Sequence, residues 1–141
     1  MYHRWAALWL ALALCSVPTK KAAGQSSTSQ PPRKPGVLGQ NFPNPFNPET
    51  ALPFSIDCET GSGVHTVTLK IFNVLGQVVA IPKLDGPAAP VENLKLTCGS
   101  YLTRWDGKVR NTGREAASGV YIYQLAIDGV VQGAKKMFVA K

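Results

Sequence analysis

The chain has 141 residues, 45% of them hydrophobic and 16% charged, with a formal net charge of +7. That length holds one modest domain once targeting segments are set aside. The positive excess is scattered over strand faces and loops, with no basic cluster interleaved with aromatic platforms, which argues against nucleic acid as a partner.

The amino terminus reads as a secretory signal peptide over residues 1–24. Arg4 supplies a short positive region, and residues 5–17 are an almost unbroken apolar run, too short to span a bilayer as a helix. Cleavage after Gly24 would place small residues, Ala22 and Gly24, at the key positions; cleavage after Cys15 is the other option. Leu14-Cys15 also admits acylation of Cys15, although a lipoprotein signal wants a small residue where Leu14 stands. Removal of 1–24 takes away Arg4, Lys20 and Lys21 and no acid, so +7 falls by three to +4. Residues 25–40, rich in Ser, Gln, Pro and Gly, have too few large apolar side chains to bury a core and are expected to be a flexible, disordered linker. The folded domain is expected over 41–141.

In residues 41–50, NFPNPFNPET, three prolines fix φ and remove donors, so neither helix nor central strand is expected; Phe42 and Phe46 are the expected anchors. Residues 51–57 alternate with Leu52, Phe54 and Ile56 inward, and 59–63 are a turn. Residues 66–72 set Val67, Leu69 and Ile71 against Thr66, Thr68 and Lys70. Asn73-Val74-Leu75-Gly76 makes a tight turn into a short strand over 77–81, and 82–90 is a proline-rich loop. Residues 91–98 and 101–105 are the next strands, and Trp105 opens a polar loop with turn signals at Asp106-Gly107 and Asn111-Thr112-Gly113. Residues 120–127 put Tyr121, Tyr123, Leu125 and Ile127 on one face. Asp128-Gly129 suits a type I′ hairpin, and the return strand over 130–140 carries Met137 and Val139 on one parity, Lys136, Phe138 and Ala140 on the other. About seven antiparallel strands at this spacing predict an all-β chain, an immunoglobulin-like or fibronectin III-like β-sandwich.

Cys58 shares its parity with Leu52, Phe54 and Ile56, and Cys98 with Leu94 and Leu96, so regular strands would turn both thiols to the apolar face. In an oxidising compartment such a pair can bridge and close a long loop; otherwise they are two buried thiols on strands that are not neighbours.

Several of these stretches together resemble a known family. Residues 38–50, LGQNFPNPFNPET, look like the opening of the type IX secretion (Por) C-terminal sorting domain, type A. Residues 73–79, NVLGQVV, resemble its middle motif, with Gly76 in the turn. Trp105-Asp106-Gly107, then Ser118-Gly119-Val120-Tyr121, then Lys135-Lys136 and Lys141 resemble its closing motifs. The pattern is shared with the immunoglobulin-like domain of the flagellar hook-capping protein and covers 38–141.

The resemblance implies an address rather than a chemistry. A signal peptide would export the chain through the inner membrane to the periplasm. The sandwich would then be recognised by the type IX outer-membrane translocon, and a surface sorting protease would process it at the cell surface or for release outside. Gly76, Gly119, Tyr121, Lys135, Lys136 and Lys141 are the residues the resemblance marks for translocon recognition; single lysines on an edge strand also serve simply to block aggregation. The domain is expected to act as a monomer, touching membrane only through the export machinery. The sequence departs from the family in one respect: the family carries a large passenger before this domain, and here only residues 25–40 separate it from the signal. A lost passenger, a truncated chain and a free-standing immunoglobulin-like binding or structural module are the readings this leaves open.

No catalytic constellation is legible. After residue 24 the one histidine is His65, at a strand start, and the acidic residues lie mostly at turns. Asp106 with Asn111 lacks the spaced carboxylates of a calcium loop, and two cysteines without a histidine partner make no zinc site. The chain is expected to be no enzyme and to need no cofactor.

Overall fold

Alternating side chains give each strand one face to bury, and two sheets result. The residues described in this computed structural model are 31–59 and 63–141, and among them every regular element is a β-strand. The predicted signal peptide, Cys15 and linker residues 25–30 lie outside the described residues. In chain order the strands are β1 (Gly36–Leu38), β2 (Thr50–Ile56), β3 (His65–Phe72), β4 (Val78–Ala80), β5 (Lys83–Leu84), β6 (Leu94–Leu96), β7 (Gly99–Trp105), β8 (Gly119–Ile127) and β9 (Val130–Val139). One sheet has the order β1-β2-β7-β5; the other runs β4-β3-β8-β9, with β6 also on β3, and all pairings are antiparallel.

The described residues are therefore all-β, with two antiparallel sheets around a shared core. Leu52, Phe54 and Ile56 of β2 meet Val67, Leu69 and Ile71 of β3, Leu125 and Ile127 of β8, and Met137 of β9, all buried. Burying side chains of this size stabilises by roughly 1.5–3 kcal/mol each. Asp128 and Gly129 have φ of 51° and 78°, and Ile127 pairs Val130, as a type I′ turn requires. The β8–β9 register then shifts between Leu125 and Ala126, a bulge that tucks Gln132 into the interior.

The boundaries differ from the sequence reading in four places. The expected linker ends early, because Gly36–Leu38 pairs with the edge of β2 and buries Leu38. The proline-rich loop contains β5, since Lys83 and Leu84 find Arg104 and Thr103 as partners. The strand expected over 91–98 shrinks to β6; Asn93 has φ of 51° and breaks it, while Val91 accepts from Leu69 N–H at 2.8 Å. Of the two expected anchors only Phe46, 2% exposed, is one; Phe42 is 54% exposed because it bridges to Ala51 at the sheet margin.

The cysteines also lie differently. β2 ends at Ile56 and β6 at Leu96, so Cys58 and Cys98 fall beyond regular strands and escape the inward parity. Cys58 is exposed and Cys98 half-buried, and they form a disulfide with Cα atoms 4.8 Å apart. The bond sits where the chain crosses from β6 in one sheet to β7 in the other, beside the Ile56–Gly99 pair that ends the β2–β7 ladder. Constraining residues 40 apart in sequence stabilises by roughly 4 kcal/mol on the chain-entropy account. Replacing both cysteines by serine is expected to remove about 2–4 kcal/mol of unfolding free energy. Urea denaturation with and without reductant checks this: an unchanged midpoint in the variant would show that the bond contributes nothing.

Candidate functional site

The loop after β7 is where the stretches singled out in the sequence meet. Trp105 ends β7 with its ring buried, and its indole N–H donates to the Lys108 carbonyl at 2.9 Å. Asp106 Oδ1 accepts from Lys108 N–H at 3.0 Å, the short-range turn bond expected of an aspartate there. Ala116 N–H returns to the Gly107 carbonyl at 2.7 Å, and Val109 N–H to the Arg114 carbonyl at 2.8 Å, closing the loop as a small ladder. Arg110 N–H donates to the Val79 carbonyl at 2.7 Å, which ties the loop to β4 and so to the strand after the Gly76 turn.

The opening segment packs on the same loop. Phe46 meets the edge of Trp105 at 5.4 Å between ring centroids, and Trp105 meets Tyr121 at 5.5 Å, both T-shaped. Edge-to-face pairs of this kind add roughly 0.5–1.5 kcal/mol beyond burial. Gly107 has φ of 74°, and a side chain there would run into the Pro48 carbonyl oxygen. The Tyr121 hydroxyl donates to the Ala117 carbonyl at 3.0 Å, fixing the entry into β8.

The same segment lies along the outer edge of β9. Phe138 N–H donates to Asn44 Oδ1 at 3.0 Å, Phe46 N–H to the Phe138 carbonyl at 2.9 Å, and Ala140 N–H to the Phe46 carbonyl at 3.0 Å. Gln40 Nε2 donates to the Lys136 carbonyl at 3.2 Å, and Lys34 Nζ to the Gln132 carbonyl at 3.1 Å. Behind this strap, buried Asn41 donates through its backbone N–H to the Tyr123 hydroxyl at 2.8 Å and through Nδ2 to Thr50 Oγ1 at 3.0 Å. The Tyr123 hydroxyl donates in turn to the Gly39 carbonyl at 2.8 Å; burial raises its pKa, and the bond from Asn41 partly offsets this.

Of the candidate recognition residues, five lie on or beside the β8–β9 pair. Gly119 and Tyr121 face Val139 and Met137 in the ladder; Lys135 and Lys136 face Tyr123 and Ile122. Lys141, just past β9, donates from its backbone N–H to Ser118 Oγ at 3.2 Å and from Nζ to Glu115 at 2.8 Å. That ammonium holds the Glu115 carboxyl below its ordinary pKa. Tyr121 is buried, so its ring is packed inside rather than presented at the surface. Gly76 stands apart, in the exposed β3–β4 turn with φ of 76°, where Asn73 Oδ1 accepts from Leu75 and Gln77 N–H, each at 3.0 Å. Sequence reasoning missed the strap, because nothing local in 40–46 says which strand it will flank; the alternation of Asn and Pro was its one visible signal.

His65 and Asp128 make a smaller constellation at the opposite end of β8. His65 Nδ1 is 2.7 Å from Asp128 Oδ2, and Thr66 N–H donates to Asp128 Oδ1 at 2.9 Å. These bonds, that to His65 foremost, hold the Asp128 carboxyl below its ordinary range. They close the hairpin against β3, a structural role. Among the described residues no group of three or more His, Cys, Asp or Glu side chains is placed to hold a metal ion. Comparison with family models, with curated proteins and with solved structures finds no match to this chain.

Two outcomes follow from the geometry. Gly107→Ala is expected to cost roughly 3 kcal/mol, from its left-handed backbone and the Pro48 oxygen, whereas Gly113→Ala, with open space around it, costs about 1 kcal/mol; thermal melts rank the two. Asp128→Asn keeps a turn residue suited to type I′ but removes the carboxylate. Because the folded-state pKa of Asp128 is depressed, its stabilisation is present above about pH 4 and is lost as pH falls through the lower folded value. The wild type should therefore lose melting temperature below about pH 4 more steeply than the variant; parallel profiles would show that the carboxylate does not contribute.

Proposed function

We propose that this chain is a non-catalytic sorting module with an immunoglobulin-like sandwich, engaged by the type IX outer-membrane translocon for export or surface attachment. One observation carries the reading: the separated stretches that resemble the family's motifs gather around the 105–119 loop. Phe46 and Pro48 of the opening segment pack on Trp105 and Gly107, Val79 beyond the middle turn binds Arg110, and Lys141 binds Ser118 and Glu115. The bond from the Tyr121 hydroxyl back to Ala117 at the start of β8 is of the kind found at the corner of immunoglobulin-like sandwiches, and it supports that finer assignment. Nothing in this reading requires a nucleophile, base or cofactor. The partners it names are the translocon and a surface sorting protease, met by a monomeric domain after transit through the periplasm.

A second reading, a free-standing binding or structural module on the surface or secreted, is favoured by the outer face of the five-stranded sheet. Val74 and Leu75 at the β3–β4 tip are 72% and 79% exposed, and Phe138 is 45% exposed beside half-buried Val120 and Ile122. Exposed apolar side chains of this kind are what an interaction surface needs.

The discriminating experiment places a folded reporter between residues 31 and 32, ahead of β1, in a host with a working type IX system. Delivery to the surface or medium that is absent when 32–141 are omitted is the expected result. Deleting 135–141 would also remove Met137 and Val139 from the core. The recognition residues are therefore tested by Lys135→Gln, Lys136→Gln and Lys141→Gln together, with the melting curve as the check on folding. That variant should deliver about tenfold less, a loss of the order expected from removing the exposed charges of Lys136 and Lys141 and that of half-buried Lys135. Retention of the intact fusion in the periplasm would overturn the sorting role and leave the second reading.

A further inference from the structure

Where the chain passes from β4 to β5, the two sheets part and leave a groove of about 550 Å³ facing the 106–113 loop. That volume is in the range of sites for small organic ligands. Its apolar lining is Ala80, Leu84 and Trp105, all buried, with Ile81 and Val109 half-buried. The walls are held before any ligand arrives. Leu84 N–H donates to the Ala89 carbonyl at 2.7 Å and Asp85 N–H to the Leu102 carbonyl at 2.8 Å, while the loop wall is tied through Arg110 to β4.

The rim carries four basic side chains, Lys83, Arg104, Lys108 and Arg110, against three acidic ones, Glu49, Asp85 and Asp106. Glu49 and Asp85 both bind Arg104, at 3.0 and 3.3 Å, and these contacts, Asp85 first, raise the arginine's pKa. Asp106 holds Lys108 N–H. Lys83 and Lys108 make no ion pair with a described residue, and Arg110 reaches Glu92 only at 3.9 Å. Glu115 lies within electrostatic reach of Lys108, yet its carboxylate is bonded to Lys141. An apolar floor under a rim on which basic side chains outnumber acidic ones suits one chemical class.

We propose that this groove binds a small amphiphilic anion. Its apolar chain or ring would lie on Leu84, Trp105 and Val109, and its carboxylate or phosphate head against Lys83, Lys108 and Arg110. The site shares no residue with the strap on β9, while its Trp105, Lys108, Val109 and Arg110 belong to the 105–119 loop on which the sorting reading also rests. The attraction to the head group is screened by salt, so binding weakens as ionic strength rises.

The test is an NMR titration of the folded domain with decanoate and with decyl phosphate below their micelle concentrations, and with decanol as the uncharged comparison. The Trp105 indole N–H, which donates to Lys108, is a reporter built into the site. Saturable shifts of that proton and of Leu84 and Val109, with at least one anion binding about tenfold tighter than decanol, are expected. The Lys83→Gln/Lys108→Gln variant should lose that preference while binding decanol as before. Which head group binds better identifies the source, a fatty acid or a phosphate ester. Shifts that gather instead on Val74, Leu75 and Phe138, equal affinity for anions and alcohol, or an unchanged affinity in the double variant would each overturn the assignment.

Discussion

A sheet needs its last strand covered, and in this protein the cover is the segment over residues 40–46. β9 would otherwise present a row of unpaired backbone groups, a template for pairing with other chains. The outward-facing groups are those of even-numbered residues, and Gln132, Lys136, Phe138 and Ala140 all find partners in the segment before β2 or, for Gln132, in Lys34. The prolines of that segment suit the task. They lack the donor that would make the strap a further strand open to extension, while the asparagines between them supply side-chain oxygens and amides. Phe46 then fastens the strap to the core through Trp105, so the edge cover and the aromatic cluster stabilise one another.

The second constraint is the chain's crossing between sheets. β6 belongs with β3 and β7 with β2, so residues 97–98 must leave one layer for the other. Tyr101 secures this crossing by donating its hydroxyl to the Thr97 carbonyl at 2.7 Å and stacking on Phe54 at 5.3 Å. The disulfide to Cys58 adds a covalent hold at the same corner. Tyr121 makes the equivalent backward bond at the entry to β8. Each corner thus uses a tyrosine whose ring is packed and whose hydroxyl satisfies a carbonyl that the turn would leave bare.

Much of the fold was legible because half-buried strands write their period into the sequence. The inward set of β2, the alternating faces of β3 and β8 and the Asp128-Gly129 turn could be read directly, since each depends on neighbours a few residues away. What could not be read depends on partners far along the chain. Val37 and Leu38 are too short a run to announce a strand, and become one only because β2 has an open edge. Cys58 and Cys98 follow the parity of their neighbours in sequence but stand past the strand ends, so parity misplaced them while their proximity is set by the β2–β7 register. Of the candidate recognition residues, the lysines of β9 and Gly119 fell in one ladder as neighbours in sequence suggested. Tyr121 was legible as a strand residue, but its burial under Trp105 was not.

The cover on β9 also limits what a partner could reach along this strand. Met137 and Val139 point into the core, and the backbone edge is bonded to residues 40–46. A partner that meets the folded domain therefore has the outward side chains of Lys136 and Phe138 and the Lys141 end to recognise. Adding a strand to β9 would first require peeling the strap away, which exposes Phe46 and unpairs Asn44 from Phe138. Recognition by shape and side chains leaves that packing intact, whereas recognition by strand exchange must supply equal bonds to the same edge. At this end of the domain the fold thus presents a finished surface and no free strand edge.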